Sequence, residues 1–115
     1  MVHIVGSRCP TESREEFNTW HSEKHVPELF AYDEVKRVAR YELIPDEQGF
    51  RLPLAKPGYP DYMTIYEFES MRDFRAFQAN PKREANIQDS LRVSERTGTE
   101  LLWRVQYRLL RTWQK

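Results

Sequence analysis

Apolar and polar positions alternate most regularly near the C-terminal end. Over residues 100–113, Leu101, Trp103, Val105, Tyr107 and Leu109 alternate with Leu102, Arg104, Gln106, Arg108 and Leu110. This is the period-2 pattern of a strand with one apolar face. That face is expected to lie against helices, leaving Arg104, Gln106 and Arg108 on the other. Three more segments read as strands: residues 1–6 around His3, Ile4 and Val5, the β-branched and aromatic run 35–44, and residues 62–69. Helical spacing takes over elsewhere. Phe17, Trp20, His21, Lys24 and His25 recur at intervals of three and four behind Ser13-Arg-Glu-Glu16, which matches a capping box. The helix is expected to run to about His25 and to break or kink at Val26, because Pro27 disfavours the helical conformation of the residue before it. Leu29 and Phe30 then form a short second turn. Ser70 can cap a helix over residues 71–79 with Phe74 and Phe77 on one face, and Asn80-Pro81 interrupts it. A weaker helix follows from Pro81 to about Arg96, with Ala85, Ile87 and Leu91 as its apolar anchors. Between the second and third strands, residues 46–60 carry Gly49, Pro53, Pro57, Gly58 and Pro60, a loop of a length that is often functional.

The order strand, helix, strand, strand, helix, strand predicts an α+β fold: a ferredoxin-like βαββαβ unit with a four-stranded antiparallel sheet and helices on one face. The whole chain, 1–115, reads as one domain. Helices on one side leave the other side bare. Besides Arg104, Gln106 and Arg108, that side receives one set of alternates from each middle strand: Tyr62, Thr64, Tyr66 and Phe68 or Met63, Ile65 and Glu67, and Arg37, Ala39 and Tyr41 or Val38, Arg40 and Glu42. Either mixture is too apolar for water and too charged for a dry core. Two chains packing sheet to sheet around a polar pocket satisfy it, as does a wet surface crossed by arginine stems. The homodimer is the preferred reading, since exposed aromatic patches mark interfaces.

Composition narrows the class. Lys plus Arg number 18 and Asp plus Glu number 18, giving a formal charge of +0. Neutrality argues against nucleic acid as a partner, which rewards clustered positive charge. No apolar run approaches the ~20 residues of a membrane span, and the first ten residues lack the basic start and apolar stretch of a signal peptide. A single cysteine, Cys9, allows no internal disulfide and reads as structural. A cytoplasmic protein is therefore expected. Only 39% of residues are hydrophobic, yet aromatics reach 13%. Disordered chains are poor in aromatics, so the chain should fold, with ring-rich surfaces suited to a ligand or a subunit.

The histidines carry the candidate chemistry, because only His titrates near neutral pH unperturbed. His21 and His25 are four apart and face the same way, so they can share a metal with a third ligand such as Glu28 or His3. The order H-x-E-x-H is not that of the metalloprotease helix, so no metal is assigned. On residue chemistry His21 reads first as a packing residue against Phe17, with a catalytic role beside His25 as the other reading. His25, beside the proline, is a candidate general acid or base. Arg104 and Arg108 can hold a carboxylate or phenolate, or pair with Glu42 or Glu67. Trp20, Tyr41, Tyr62 and Tyr66 can line a pocket or simply pack in the sheet. No glycine-rich phosphate loop and no dinucleotide fingerprint is present.

The run Glu16–Phe30 (EFNTWHSEKHVPELF) resembles the first-helix motif of EthD-like proteins of the dimeric α/β-barrel superfamily, with its Trp, acidic spacer, His-x-Pro and apolar pair. Residues 38–42 and 62–70 resemble that family's second strand and its third strand leading into a helix. The resemblance implies a homodimer whose two sheets form a barrel, and a small-molecule pocket between sheet and helices without a bound cofactor. It implies cofactor-independent chemistry of the decarboxylase, isomerase, cyclase or monooxygenase type on a small aromatic or polyketide-like substrate. A non-catalytic ligand-binding protein and a metal-dependent variant using His21 and His25 remain the alternatives. His25 takes the position of the family histidine, flanked by Trp20 and Pro27. His21 departs from the pattern, since relatives commonly have Tyr there.

Overall fold

The computed structural model describes residues 1–44 and 59–115. Most of the loop expected over 46–60 lies outside the described residues. The elements run β1 (Val2–Arg8), a short 3-10 turn (Thr11–Ser13), α1 (Arg14–Trp20), a π-turn (His21–His25), α2 (Val26–Phe30), β2 (Arg37–Glu42), β3 (Tyr62–Glu67), α3 (Met71–Ala79), α4 (Arg83–Thr97) and β4 (Glu100–Tyr107). The sheet order is β2-β3-β1-β4 with every pairing antiparallel, which is the ferredoxin-like βαββαβ arrangement. Among the described residues no helix is long and apolar enough to cross a membrane.

Two clusters bind the helices to the sheet. Leu29, Val35, Tyr66, Phe68, Phe74 and Phe77 join α2 and α3 to β3. Cys9, Phe17, Tyr62 and Val93 join α1 and α4 to its other end. Cys9 is thus a buried free thiol of the core, accepting from the Thr99 hydroxyl at 3.4 Å. The Ser70 cap forms, with its Oγ accepting from the Asp73 N–H at 3.2 Å, and α3 stops before Asn80-Pro81. Gly98 ends α4 with φ 75°, a left-handed conformation that favours glycine, while its N–H closes on the Ser94 carbonyl at 2.9 Å.

Four expectations need correction. Ser13 makes no side-chain cap, because the chain enters α1 through a 3-10 turn closed by the Ser13 N–H on the Pro10 carbonyl; Glu16 instead pairs with Arg96 of α4. Pro27 does not break the helix. The backbone stays right-handed helical from α1 through the π-turn into α2, and the Val26 N–H reaches back five residues to the His21 carbonyl. Pro27 then sits in the first turn of α2, where its missing N–H costs little. Ala85, Ile87 and Leu91 are exposed and do not anchor α4. The buried stripe of α4 is Asn86, Asp89, Val93 and Thr97, and it is tolerated because Asn86 accepts from the Tyr32 hydroxyl at 2.6 Å and Asp89 is fully engaged as described below.

The fourth correction concerns the faces of the sheet. Under the helices lie the rows Val38–Tyr66–His3–Gln106 and Arg40–Thr64–Val5–Arg104. The other face, bare of helices among the described residues, carries Ala39–Ile65–Ile4–Val105, Tyr41–Met63–Gly6–Trp103 and Arg37–Glu67–Val2–Tyr107. Arg104 and Gln106 therefore point toward the helices, and Trp103, Val105 and Tyr107 point away, the reverse of the pattern expected for the last strand. The helices do not seal the sheet beside β4 but leave a cavity there, so polar groups are accommodated on the covered side. On the bare side Trp103 lies across Gly6, where a Cβ would stand only 2.7 Å from the indole ring.

Candidate functional site

The cavity between the sheet, the π-turn and α4 has a volume of about 350 Å³, within the range of ligand sites. All three histidines of the chain line it: His3 from β1 and His21 and His25 from the π-turn. Tyr66, Arg83, Arg104 and several Ser and Thr hydroxyls add to its polar lining, while Trp20, Phe77 and Leu101 contribute apolar walls.

The π-turn sets the geometry. Widening the helix by one residue per turn, a feature frequent at functional sites, brings His21 and His25 edge to face at 5.0 Å between ring centroids. His25 stacks on Trp20 at 4.7 Å and 25°. Trp20 is itself pinned, donating from Nε1 to Asp89 Oδ2 at 3.0 Å. Asp89 also accepts from Lys24 Nζ at 2.8 Å and from Arg92 at 3.4 Å, and the Lys24 ammonium holds its carboxyl below the usual carboxylate range. A chain Asp89–Trp20–His25 thus fixes the imidazole from α4. His21 packs edge-on against Phe17 at 5.4 Å.

All three imidazoles are held neutral at pH 7. Burial, reinforced by Arg83, lowers His25 to about 4. Burial, then Arg40 and His25, lowers His21 to about 2. Burial, then Arg104 and Arg83, lowers His3 to about 4. His3 Nδ1 lies 2.9 Å from Gln106 Nε2; with the amide donating, the ring carries its proton on Nε2. Among the described residues the Nδ1 atoms of His21 and His25 have no hydrogen-bond partner. Burial pushes the Tyr66 phenol up, so it stays protonated.

Of the residues singled out from sequence, the cavity gathers His21, His25, Trp20, Tyr66 and Arg104. Tyr41 lies on the bare face and is half exposed. Tyr62 faces the helices but is buried at the far end of β3, its hydroxyl accepting from Asn18 Nδ2 at 2.9 Å. Arg108 follows the last strand and lines a separate depression with Met1, Glu69 and Met71. Sequence reasoning passed over Arg83. Arg83 carried a usable signal, since it is four and eight residues before Ile87 and Leu91 and shares their helix face. Among the described residues no group of three His, Cys, Asp or Glu side chains could hold a metal ion, so His21 and His25 acquire no third ligand from Glu28 or His3.

The fold is EthD-like. It is similar to a solved ethyl tert-butyl ether D (EthD) family protein from Bacillus halodurans C-125, with 10% identity, 94% of this chain and 99% of that chain covered, and a TM-score of 0.66. It is also similar to HapK from Hahella chejuensis, with 13% identity, 100% and 99% covered, and a TM-score of 0.60. At these identities the likeness shows a shared fold. The family is given by a model described as a domain of unknown function, DUF4286, which matches residues 1–97; the chain belongs to that family. No curated protein matches it.

Proposed function

We propose that this domain is a cofactor-independent enzyme acting on a small aromatic or polyketide-like molecule, with His25 as the proton-transferring group. The observation that carries the reading is the setting of His25: a neutral imidazole on a π-turn, stacked on a pinned indole and lining a cavity of about 350 Å³. A neutral imidazole can accept a proton from an acidic C–H or O–H of a bound ligand and return it elsewhere. Trp20, Phe77 and Tyr66 provide ring surface for an aromatic body, and Arg104 provides a cation for a developing oxyanion. His21, closer packed against Phe17, supports His25 by position. A decarboxylation, isomerisation or cyclisation needs no more than this set.

The reading extends to a homodimer. The bare face presents Ile4, Ile65, Val105, Met63 and Trp103 as a continuous apolar patch, bordered by the Arg37–Glu67 ion pair at 3.0 Å. A second copy is the fitting cover, because a two-fold axis through this face sets one apolar patch against the other. A cytoplasmic setting is compatible with a chain whose one cysteine, Cys9, is a buried core thiol.

Incubation of the purified protein with a panel of hydroxylated naphthoic acids and β-keto acids, followed by mass spectrometry, tests the catalytic reading. Turnover is expected in the wild type, with His25→Gln binding the same compound but converting it at least about a hundredfold more slowly. Equal turnover in the variant removes His25 from the chemistry. Binding without turnover in the wild type makes the domain a ligand-binding protein.

A further inference from the structure

We infer that Arg83 and Arg104 form an anion subsite within the cavity, and that the ligand it takes is an aromatic compound carrying one carboxylate or enolate. The inference rests on the reading of the cavity as a small-molecule site and adds the charge of its occupant.

The residues that line the cavity include two guanidinium groups and no Asp or Glu among the described residues. Four of the other arginines are paired with carboxylates, Arg14 with Asp61, Arg37 with Glu67, Arg92 with Asp89 and Arg96 with Glu16, and Arg40 is held by Ser22 and Asn18. Arg83 is half-buried, and among the described residues its Nε and Nη1 have no hydrogen-bond partner. Its guanidinium lies over the Phe77 ring with Cζ 4.4 Å from the centroid, a contact that holds its orientation without cancelling its charge. The groups around it are Tyr32, Tyr66 and Arg104, of which the last repels it. Two like charges beside three uncharged imidazoles in a half-enclosed space raise the energy of the empty site. An anion placed between them relieves the repulsion and supplies an acceptor for guanidinium N–H groups. A carboxylate has the planar, two-oxygen form that guanidinium recognises, and an enolate offers one charged oxygen to its N–H groups; the rings of Trp20, Phe17 and Tyr66 around the rest of the cavity suit an aromatic body.

The probe pair 2-naphthoate and 2-naphthamide differs in charge and hardly in shape, and calorimetric titration of the full chain with each tests the subsite. The wild type is expected to bind the carboxylate about tenfold or more tighter than the amide, as one charge-assisted hydrogen bond requires. Arg83→Met is expected to bring the two affinities together by weakening the carboxylate more than the amide, and Arg83→Lys to keep part of the preference. Arg104→Met should lower the preference as well, which keeps the test decisive should Arg83→Met fail to fold. An amide bound as tightly as the carboxylate by the wild type overturns the anion subsite alone. A tenfold preference that survives both methionine substitutions overturns it too. If the wild type binds neither probe, the small-molecule reading of the cavity falls, and the subsite with it.

Discussion

The two faces of the sheet divide polarity in an unusual way. The face under the helices carries His3, Arg40, Thr64, Arg104 and Gln106, whereas the face without helices carries Ile4, Ile65, Val105, Met63 and Trp103. In a domain standing alone the covered face is the one to make apolar. Here the cover is incomplete over β1 and β4, and the space left behind is where the histidines and arginines meet. The bare face is apolar to a degree that suits contact with another protein surface better than contact with water. A sheet face takes its chemistry from whatever fills the space above it, be that a helix, a ligand or a second chain.

Acid should disturb the covered face most. The folded-state pKa values of all three histidines lie below the ordinary 6.5, at about 4 for His3 and His25 and about 2 for His21. The unfolded chain therefore binds more protons below pH 6.5. This part of the stability is fully present above pH 6.5 and is lost as the pH falls toward 4, at up to about 1.4 kcal/mol per pH unit for each histidine. Urea unfolding at pH 7, 6 and 5 is expected to show a steadily falling midpoint, and His21→Gln a shallower fall. An unchanged midpoint from pH 7 to 5 contradicts the burial of these rings.

A smaller effect sharpens the bare face. Gly6→Val places a Cβ 2.7 Å from the Trp103 ring, and the indole must move off the sheet. The expected cost is about 1–3 kcal/mol, read by thermal unfolding together with a change in tryptophan fluorescence. Unchanged stability and emission would show that Trp103 does not lie across Gly6. The smallest effect belongs to the pin behind the cavity. Asp89→Asn keeps an acceptor for Trp20 Nε1 but loses the charge that holds Lys24 and Arg92. A loss of about 1 kcal/mol is expected, discounted for the half-exposed Lys24, with the helix content of the circular dichroism spectrum unchanged.

The strands and helices were legible because their signals are local: period-2 alternation in β4, the Ser70 cap, the Asn80-Pro81 stop. The orientation of β4 was not, because alternation shows that two faces differ and not which one the helices cover. Its register against β1 also slips between Gly6 and Ser7, which no local pattern reveals. Pro27 was misread for a similar reason. The residue before proline is only disfavoured in the helical conformation, and Val26 adopts it at φ -62° and ψ -46°, with its N–H closing the π-turn on His21. In the site, His25 and Trp20 were found through their helical spacing. His3 entered only as a spare ligand, and Arg83 not at all, since both reach the cavity through tertiary contacts. Tyr41 and Tyr62 share Tyr66's chemistry but stand on the other face and at the far end of the strand.

The division between the faces is tested most directly by sedimentation equilibrium of the wild type and of Ile65→Glu at micromolar concentration. Ile65 lies in the central apolar row between Ala39 and Ile4, so a carboxylate there should prevent a second copy from docking. The account predicts the mass of two chains for the wild type and of one chain for the variant, with the variant's circular dichroism spectrum intact. A single-chain mass for the wild type would contradict it.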